Sequence, residues 1–311
     1  MRIAVIGAGA MGSIFGAHLS TVAEVVLVHT EAEHVRSIQE RGLILETPGG
    51  EERVYSTLQA TTDPDPWRRF ADLALIFTKA YDTAAAVRTA SALLKPDGMA
   101  LTLQNGLGNR ETIAAALGEE RTVAGVTSHG GTVLGPGRVR HAGRGQTHMA
   151  GSAHRVAEVE AVAELFGRAG IEVIAGGDAD SLIWGKLVVN VGINALAAVC
   201  RVPNGVLGTD RTCRALMERA VDEAVAVSRR LEIVLPYDQP LSHVLHVCSI
   251  TAENRASMLQ DILRGKKTEI AHINGAVADR GEAAGIQTPV NRLLADLVTA
   301  LESTAEHRAG D

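Results

Sequence analysis

The sequence predicts an α/β domain over residues 1–177 followed by an all-helical domain over residues 178–311. Three observations carry that division. In the first part, short β-branched apolar runs alternate with segments whose apolar residues recur at helical spacing, as strand–helix units around a parallel sheet do. The first of these units is closed by three glycines, Gly7, Gly9 and Gly12. Beyond Gly176, Gly177 and Asp178, a natural boundary, the strand pattern nearly disappears and helical periodicity takes over.

Residues 2–6 read as a strand, and Gly7, Ala8, Gly9, Ala10, Met11 and Gly12 as a tight turn that opens a helix through Leu19. The glycine spacing has a chemical reason. Gly7 makes the turn, Gly9 lets the backbone approach a pyrophosphate, and Gly12 lets the helix pack against the strand with its N-terminus towards the anion. Because a second strand follows over 24–29, the context expected of a Rossmann-type dinucleotide-binding domain is complete, and residues 7–12 are its candidate cofactor loop. At the end of that second strand an acid would bond a ribose 2′-hydroxyl, and a basic group would accept a 2′-phosphate. The residues there are His29, Thr30 and Glu31, and Glu31 could serve the ribose or simply open the next helix, so cofactor choice stays open.

Residues 42–58 read as a hairpin turning at Pro48, Gly49 and Gly50. A strand over 73–77 leads to Thr78, Lys79 and a helix over 83–94; another over 99–103 ends in Gln104, Asn105 and Gly106 before a helix to Leu117. Polar residues directly after parallel strands lie where α/β sheets bind ligands, which makes Thr78, Lys79, Gln104 and Asn105 candidates for cofactor or substrate contact. Each alone could equally be a helix cap or a surface group. Residues 122–150 alternate apolar and polar positions and are expected to be antiparallel strands that finish the sheet, before a helix over 156–169 and a strand over 171–174. His129, His141 and His148 have no metal-ligand spacing and are read as structural, so no metal site is expected.

The second part reads as helices over 180–199, 211–231, 239–247, 256–263, 268–284 and 290–301, with an irregular turn over 201–209 and a frayed end at 308–311. Its organising stretch is WGKLVVNVGIN over 184–194. Lys186, Asn190 and Asn194 recur every fourth residue and share one stripe of an otherwise apolar helix. Buried polar groups need a partner, so the stripe is either an inter-helix hydrogen-bonded seam or the lining of a ligand site. A second polar cluster runs through Asn254, Ser257 and Asp261 at helical spacing, followed by Glu269. On one straight helix Ser257 and Glu269 would stand about 18 Å apart. A break at Gly265 is therefore expected to fold Glu269 back, while Asp261, Lys266 and Lys267 are read as a solvated face.

Composition narrows the partners. A net charge of −6, no long basic run and few aromatic side chains give no support for nucleic-acid binding. Cys200, Cys213 and Cys248 are odd in number and far apart, which suits core thiols in a reducing compartment. No uncharged apolar run reaches membrane-spanning length, and the expected setting is the cytoplasm without membrane attachment.

Taken together, several motifs resemble the ketopantoate reductase (2-dehydropantoate 2-reductase) family. These are GAGAMG at Gly7 to Gly12, QNG at Gln104 to Gly106, W-x-K-L-x-x-N-x-x-x-N from Trp184, PNG at Pro203 to Gly205, and NRASMLQDILRGKKTEIAHING from Asn254. The last is the most specific, and the resemblance spans essentially the whole chain. It implies NADPH-dependent reduction of 2-dehydropantoate to pantoate in pantothenate and coenzyme A biosynthesis, on a Rossmann domain joined to a helical domain with the site between them. By the same resemblance Lys186 and Glu269 are catalytic, with Lys186 the general acid. Asn105, Asn190, Asn194, Asn254 and Ser257 contact substrate, and Gly7, Ala8, Gly9, Ala10, Met11, Gly12, Thr30, Lys79 and Asn105 contact cofactor. The family's usual arginine after the second strand is replaced here by Thr30, which leaves NADH open beside NADPH. The expected partner is a small 2-oxo acid, and the expected assembly a monomer or homodimer. Two other readings accompany this one: a reductase of another 2-oxo acid on the same fold, and a dinucleotide-sensing regulatory protein without turnover.

Overall fold

The structure, a computed structural model, describes residues 1–307; the frayed end expected at 308–311 lies outside the described residues. Two compact units are present, one of residues 1–104 and 108–179, the other of residues 105–107 together with the chain from Asp180 onward.

The first unit follows its hydrophobic pattern. In order come β1 (Arg2–Ile6), α1 (Ala10–Leu19), β2 (Glu24–Val28), α2 (Ala32–Arg41), β3 (Leu43–Glu46), β4 (Glu52–Tyr55), β5 (Gln59–Thr61) and β6 (Ala71–Ile76). Then follow α3 (Thr83–Leu93), β7 (Leu94–Thr102), α4 (Asn109–Leu117), β8 (Thr122–Thr127), β9 (Gly130–Gly135), β10 (Arg138–Gly143), β11 (Thr147–Ala150), α5 (Val156–Arg168) and β12 (Val173–Ala175). The main sheet has the order β12-β11-β8-β7-β6-β1-β2-β5. Strands β5, β2, β1, β6, β7 and β8 all pair in parallel, and their continuous burial fits a sheet covered on both faces. The chain runs outward from β1 to β2 and β5, then returns to place β6 on the other side of β1. This reversal puts a crevice at the carboxyl ends of β1 and β6, where Gly7 to Gly12 and Thr78 to Lys79 lie.

The strands over 122–150 depart from expectation. Only β11 joins the main sheet antiparallel, to β8; β8 itself is parallel to β7, because the helix α4 carries the chain back across the sheet before it. β9 and β10 leave the main sheet and combine with the hairpin β3–β4 in a separate sheet of order β4-β3-β10-β9. That small sheet covers α1: Gly131 of β9 lies against Ile14 and Ala10, where a side chain would collide with Ile14.

Under this cover sits a group of histidines. His129 Nδ1 is 2.8 Å from His141 Nε2 with the rings stacked, His18 packs edge-on against His141, and His18 Nδ1 lies 3.2 Å from the carbonyl of Ala169. The structural role expected for His129 and His141 thus has a physical form; His148 is half-buried in strand β11, opposite Ile174 of β12. Burial, reinforced by His18 and Arg144, pushes His129 down to about 4; burial, reinforced by His129, His18 and Arg144, does the same to His141.

The second unit consists of α6 (Ala179–Cys200), α7 (Asn204–Thr209), α8 (Arg211–Arg230), α9 (Pro240–Ile250), α10 (Ser257–Leu263), α11 (Asn274–Ala284) and α12 (Pro289–Ser303). Its core is built around α6, from Trp184, Leu187, Val188, Val191 and the run Ala195 to Ala198, against Met217, Val221, Val244, Ile270, Val277, Leu294 and Val298. Gly192 permits the approach of α8 and α9, since a Cβ there would stand 2.9 Å from Val244 and 3.0 Å from Val221. By length and composition α6 could cross a membrane, yet two-thirds of its most apolar window, 67%, is buried within the protein, as the central helix of a packed unit would be.

Three expectations need correction here. Residues 201–209 are not wholly irregular: Pro203 pre-sets the start of α7, which is held by the fully buried Leu207. The helix expected over 268–284 is divided, because Ile273 adopts φ −111° and ψ −96°, leaving a short 3₁₀ turn at Ile270–His272 ahead of α11. Of the three thiols only Cys248 is a core thiol; Cys213 is half-buried and Cys200 exposed.

The histidine group generates a stability prediction. Unfolded, His129 and His141 regain an ordinary pKa near 6.5, so between about pH 6.5 and 4 the unfolded chain binds more protons than the folded one. Stability is complete above that window and declines as pH falls through it. Thermal unfolding followed from pH 7 to 5 should show a falling Tm, and His141→Gln should flatten that slope relative to the wild type.

Candidate functional site

In the first unit the turn after β1 is shaped by close approaches. Gly7 has φ +94°, and a Cβ there would stand 2.5 Å from the amide of Thr78 and 2.7 Å from the carbonyl carbon of Phe77. A Cβ on Gly12 would collide with the carbonyl of Gly7. Gly9 is different: among the described residues nothing lies within 4 Å of its Cβ direction. As the N-cap of α1 it has no side chain to satisfy the first helical N–H groups, and the first bond back to it comes from Ser13. Ala8 is fully buried, while Ala10 and Met11 are half-exposed at the mouth of the helix. Open space in front of unsatisfied N–H groups at a positive helix end fits a dinucleotide pyrophosphate.

The surrounding candidates separate into structural and available groups. Gln104 is occupied: its amide nitrogen donates to the Thr78 carbonyl at 2.8 Å and to Thr83 Oγ1 at 2.9 Å, and its oxygen accepts from Thr102 Oγ1 at 2.8 Å. It therefore braces the ends of β6 and β7. Lys79 is half-buried directly after β6. At the end of β2, Thr30 and Glu31 are exposed, His29 Nε2 is 3.8 Å from Glu31 Oε2, and Glu31 begins α2 without capping it through its side chain.

The helical unit supplies the titratable pair. Lys186 and Asn190 are half-buried on α6, and Asn194 is 6% exposed. Glu269, also 6% exposed, interacts electrostatically with Lys186. Burial pushes the Lys186 ammonium down to about 8, and the carboxylate of Glu269 opposes that shift. The expected chain break is present: α10 ends at Leu263, Gly265 has φ +62°, and the Lys266 amide donates back to the carbonyl of Asp261 at 2.9 Å. Thr268 then donates its amide to Glu302 at 2.7 Å and accepts from the Ile270 amide at 3.1 Å, which fixes the backbone on both sides of Glu269. Asp261 is not on a solvated face as expected; it is 8% exposed, turned inward by the short helix α10, whereas Lys266 and Lys267 are exposed.

Asn105 belongs to this unit with Gly106 and Leu107. Leu107 is anchored in the helical core, and its amide donates to the His272 carbonyl at 2.9 Å. Asn254 and Ser257 are exposed, and only Ser257 lies on α10, so the helical spacing of the two was fortuitous. The Asn254 carbonyl accepts from the Asn204 amide at 3.0 Å, tying the segment to the PNG turn.

That turn contains a residue read from sequence only as part of a loop. Asn204 donates to Thr251 Oγ1 at 3.0 Å, and its own side-chain oxygen is buried without a partner among the described residues; the side-chain nitrogen of Asn190 is in the same condition. The helical unit holds a third orphaned amide atom, Asn274 Oδ1, on a fully buried side chain; those of Asn190 and Asn204, on less deeply buried residues, are ones a polar ligand would satisfy. The sequence signal for Asn204 was its place between Pro203 and Gly205, which marks a turn but not the direction of a side chain. No group of three or more His, Cys, Asp or Glu side chains that could hold a metal occurs among the described residues.

The two glycines predict different failures. Gly12→Ala meets the Gly7 carbonyl and should lower the Tm, whereas Gly9→Val enters open space and should leave the Tm near wild type while weakening nicotinamide dinucleotide binding by about ten-fold or more, measured by calorimetry.

Comparison with known proteins agrees with this assembly of features. A family model described as ketopantoate reductase PanE/ApbA matches residues 3–153, and one for the C-terminal part of the same family matches residues 178–302. A 2-dehydropantoate 2-reductase of Halobacterium salinarum is 38% identical over 96% of this chain and 98% of its own length. A PanE/ApbA family ketopantoate reductase from Ralstonia eutropha JMP134 superposes with a TM-score of 0.90 at 33% identity, covering 99% of this chain and 100% of that one. A D-mandelate dehydrogenase, solved with NADH and anilino(oxo)acetate, superposes with a TM-score of 0.91 at 29% identity over 98% of this chain and 100% of that one. With matches to both halves and a close relative along nearly its full length, the chain belongs to the ketopantoate reductase family.

Proposed function

We propose that the protein is a nicotinamide-dependent reductase that converts 2-dehydropantoate to pantoate, a step of pantothenate and coenzyme A biosynthesis. The carrying observation is the inward-facing Lys186 opposed by Glu269 on a unit with unsatisfied amides, in a chain whose relatives are 2-dehydropantoate 2-reductases. Gly7 to Gly12, with Thr30 and Lys79 alongside, would hold the dinucleotide, whose reduced nicotinamide would supply a hydride to the 2-oxo carbon. The carbonyl oxygen gains negative charge as that bond forms, and Lys186 stabilises it and donates the proton that completes the 2-hydroxy acid. A lysine near pKa 8 is still mostly charged at neutral pH and gives up its proton more readily than an ordinary one. Glu269 keeps that lysine charged and accepts from a substrate hydroxyl. Asn105, Asn190, Asn194, Asn254 and Ser257 bind the carboxylate and hydroxyl without adding repulsive charge, and we add Asn204 to this set for its orphaned oxygen.

For the cofactor we favour NADH over the NADPH that the family resemblance implies. Thr30 offers no charge to a 2′-phosphate, and the exposed carboxylate of Glu31 repels a phosphate while suiting a ribose diol. The relative solved with NADH supports the same preference. A sensor without turnover would have no use for the Lys186–Glu269 pair and is not favoured. Free thiols suit a cytoplasmic enzyme, which we take to be a monomer or homodimer.

Lys186→Ala should lower kcat by on the order of a thousand-fold with 2-dehydropantoate. In the wild type, kcat should be flat at neutral pH and fall through about pH 8 as Lys186 loses its proton. Because Glu269 raises the lysine pKa, Glu269→Gln should move that limb to lower pH. Retained turnover in Lys186→Ala would refute the assignment, and a clear optimum across a panel of 2-oxo acids elsewhere would move the substrate. For the cofactor, kcat/KM should be higher with NADH, and Thr30→Arg should shift it towards NADPH by about ten-fold; a wild type that already prefers NADPH contradicts the reading of this corner.

A further inference from the structure

The short segment 105–107 is fastened to the turn carrying Glu269 by one residue, His272. The amide of Leu107 donates to the His272 carbonyl at 2.9 Å, and the His272 ring returns a bond from Nδ1 to the Leu107 carbonyl at 3.1 Å. A carbonyl only accepts, so Nδ1 carries the hydrogen. The fit excludes any side chain at the intervening position: Gly106 has φ +83°, and a Cβ on it would stand 2.5 Å from the His272 carbonyl oxygen and 2.8 Å from the His272 Cβ. On its other side the His272 amide donates to the Glu269 carbonyl at 2.9 Å. Asn105 is thus two residues from one end of this clasp, and Glu269 three residues from the other.

We propose that His272 is a positioning residue for the reaction, a clasp that sets Asn105 in register with Glu269 and, through it, Lys186. The inference rests on the 2-oxo acid reductase reading for its kinetic consequence, but not for the clasp itself. Its geometry explains why Gly follows Asn105: only a residue without a side chain lets the backbone at 106 lie against His272. It also gives the half-buried ring at 272 a backbone partner. His272 touches neither proton nor hydride; it acts by holding an amide where the substrate carboxylate or hydroxyl meets it.

Two substitutions separate positioning from bulk stability. Asn can present its side-chain N–H near the place of Nδ1, whereas Leu fills similar space without a donor. With 2-dehydropantoate as varied substrate, His272→Leu should reduce kcat/KM by about five- to ten-fold, the worth of one lost hydrogen bond and its register, with cofactor affinity within about two-fold of wild type. His272→Asn should recover most of the loss. A role confined to stability would lower the Tm of both variants and leave the split between substrate and cofactor unmoved. Hydrogen exchange across 104–108 reads the clasp without any substrate: it should quicken in His272→Leu and stay near wild type in His272→Asn. If exchange is unchanged in His272→Leu, or if its kcat/KM matches the wild type, the clasp is refuted. If the wild type reduces no 2-oxo acid while exchange responds as stated, the functional reading fails and the clasp stands.

Discussion

The constraint on which the helical unit depends is an ammonium group on the inner face of an apolar helix. Burying a charge without compensation costs several kcal/mol, so Lys186 requires an opposing group brought to it from elsewhere in the chain. Glu269 is that group, and much of the unit serves its placement. The chain reverses at Gly265, the backbone is pinned by the Thr268 bond to Glu302, and Asn274 then donates to the Val191 carbonyl of α6 at 3.3 Å and to Asn291 at 2.9 Å. Asn291 passes the connection on to the Ala220 carbonyl and to Glu223, whose carboxylate also caps the amides that begin α12. A fully buried amide relay therefore ties four helices together within a few residues of Lys186 and Glu269. Such relays hold one arrangement against near alternatives, because breaking any member strands the others away from water.

A loop also packs closely on α6 beside Lys186. Gly185 admits Pro236, and Tyr237 donates to the Gly185 carbonyl at 2.6 Å, so a rigid loop lies against the helix one residue before Lys186. Burial pushes the Tyr237 hydroxyl well above the usual phenol range, which keeps it a neutral donor.

The first unit answers to a different constraint, the close approach of one backbone segment to another. Its glycine turn is shaped by collisions that any Cβ would cause at Gly7 or Gly12, and α1 is held between the main sheet and a small second sheet. Neutral histidines rather than charged ones fill the space beneath that cover, because burial disfavours their protonation. The same helix that presents N–H groups at its start is thereby fixed along its length.

The parallel strands, the glycine loop and the helical stripe of Lys186, Asn190 and Asn194 were legible in the sequence, since each is a local pattern of spacing. Periodicity says which residues share a face, and glycine at set intervals says where backbone must come close. The motifs also carried the family, because long strings with fixed polar positions are specific. Other features were decided only by the tertiary structure. Asp261 lies inward and Asn204 has an orphaned oxygen, although their neighbours suggested a solvated face and a turn. β9 and β10 leave the main sheet because β3 offers an edge, a partner some ninety residues away that no local window contains. The clasp at His272 is of the same kind: its bonds join residues 165 positions apart. Sequence determines local propensity and face; which long-range partner satisfies a buried polar group depends on where the folded chain returns.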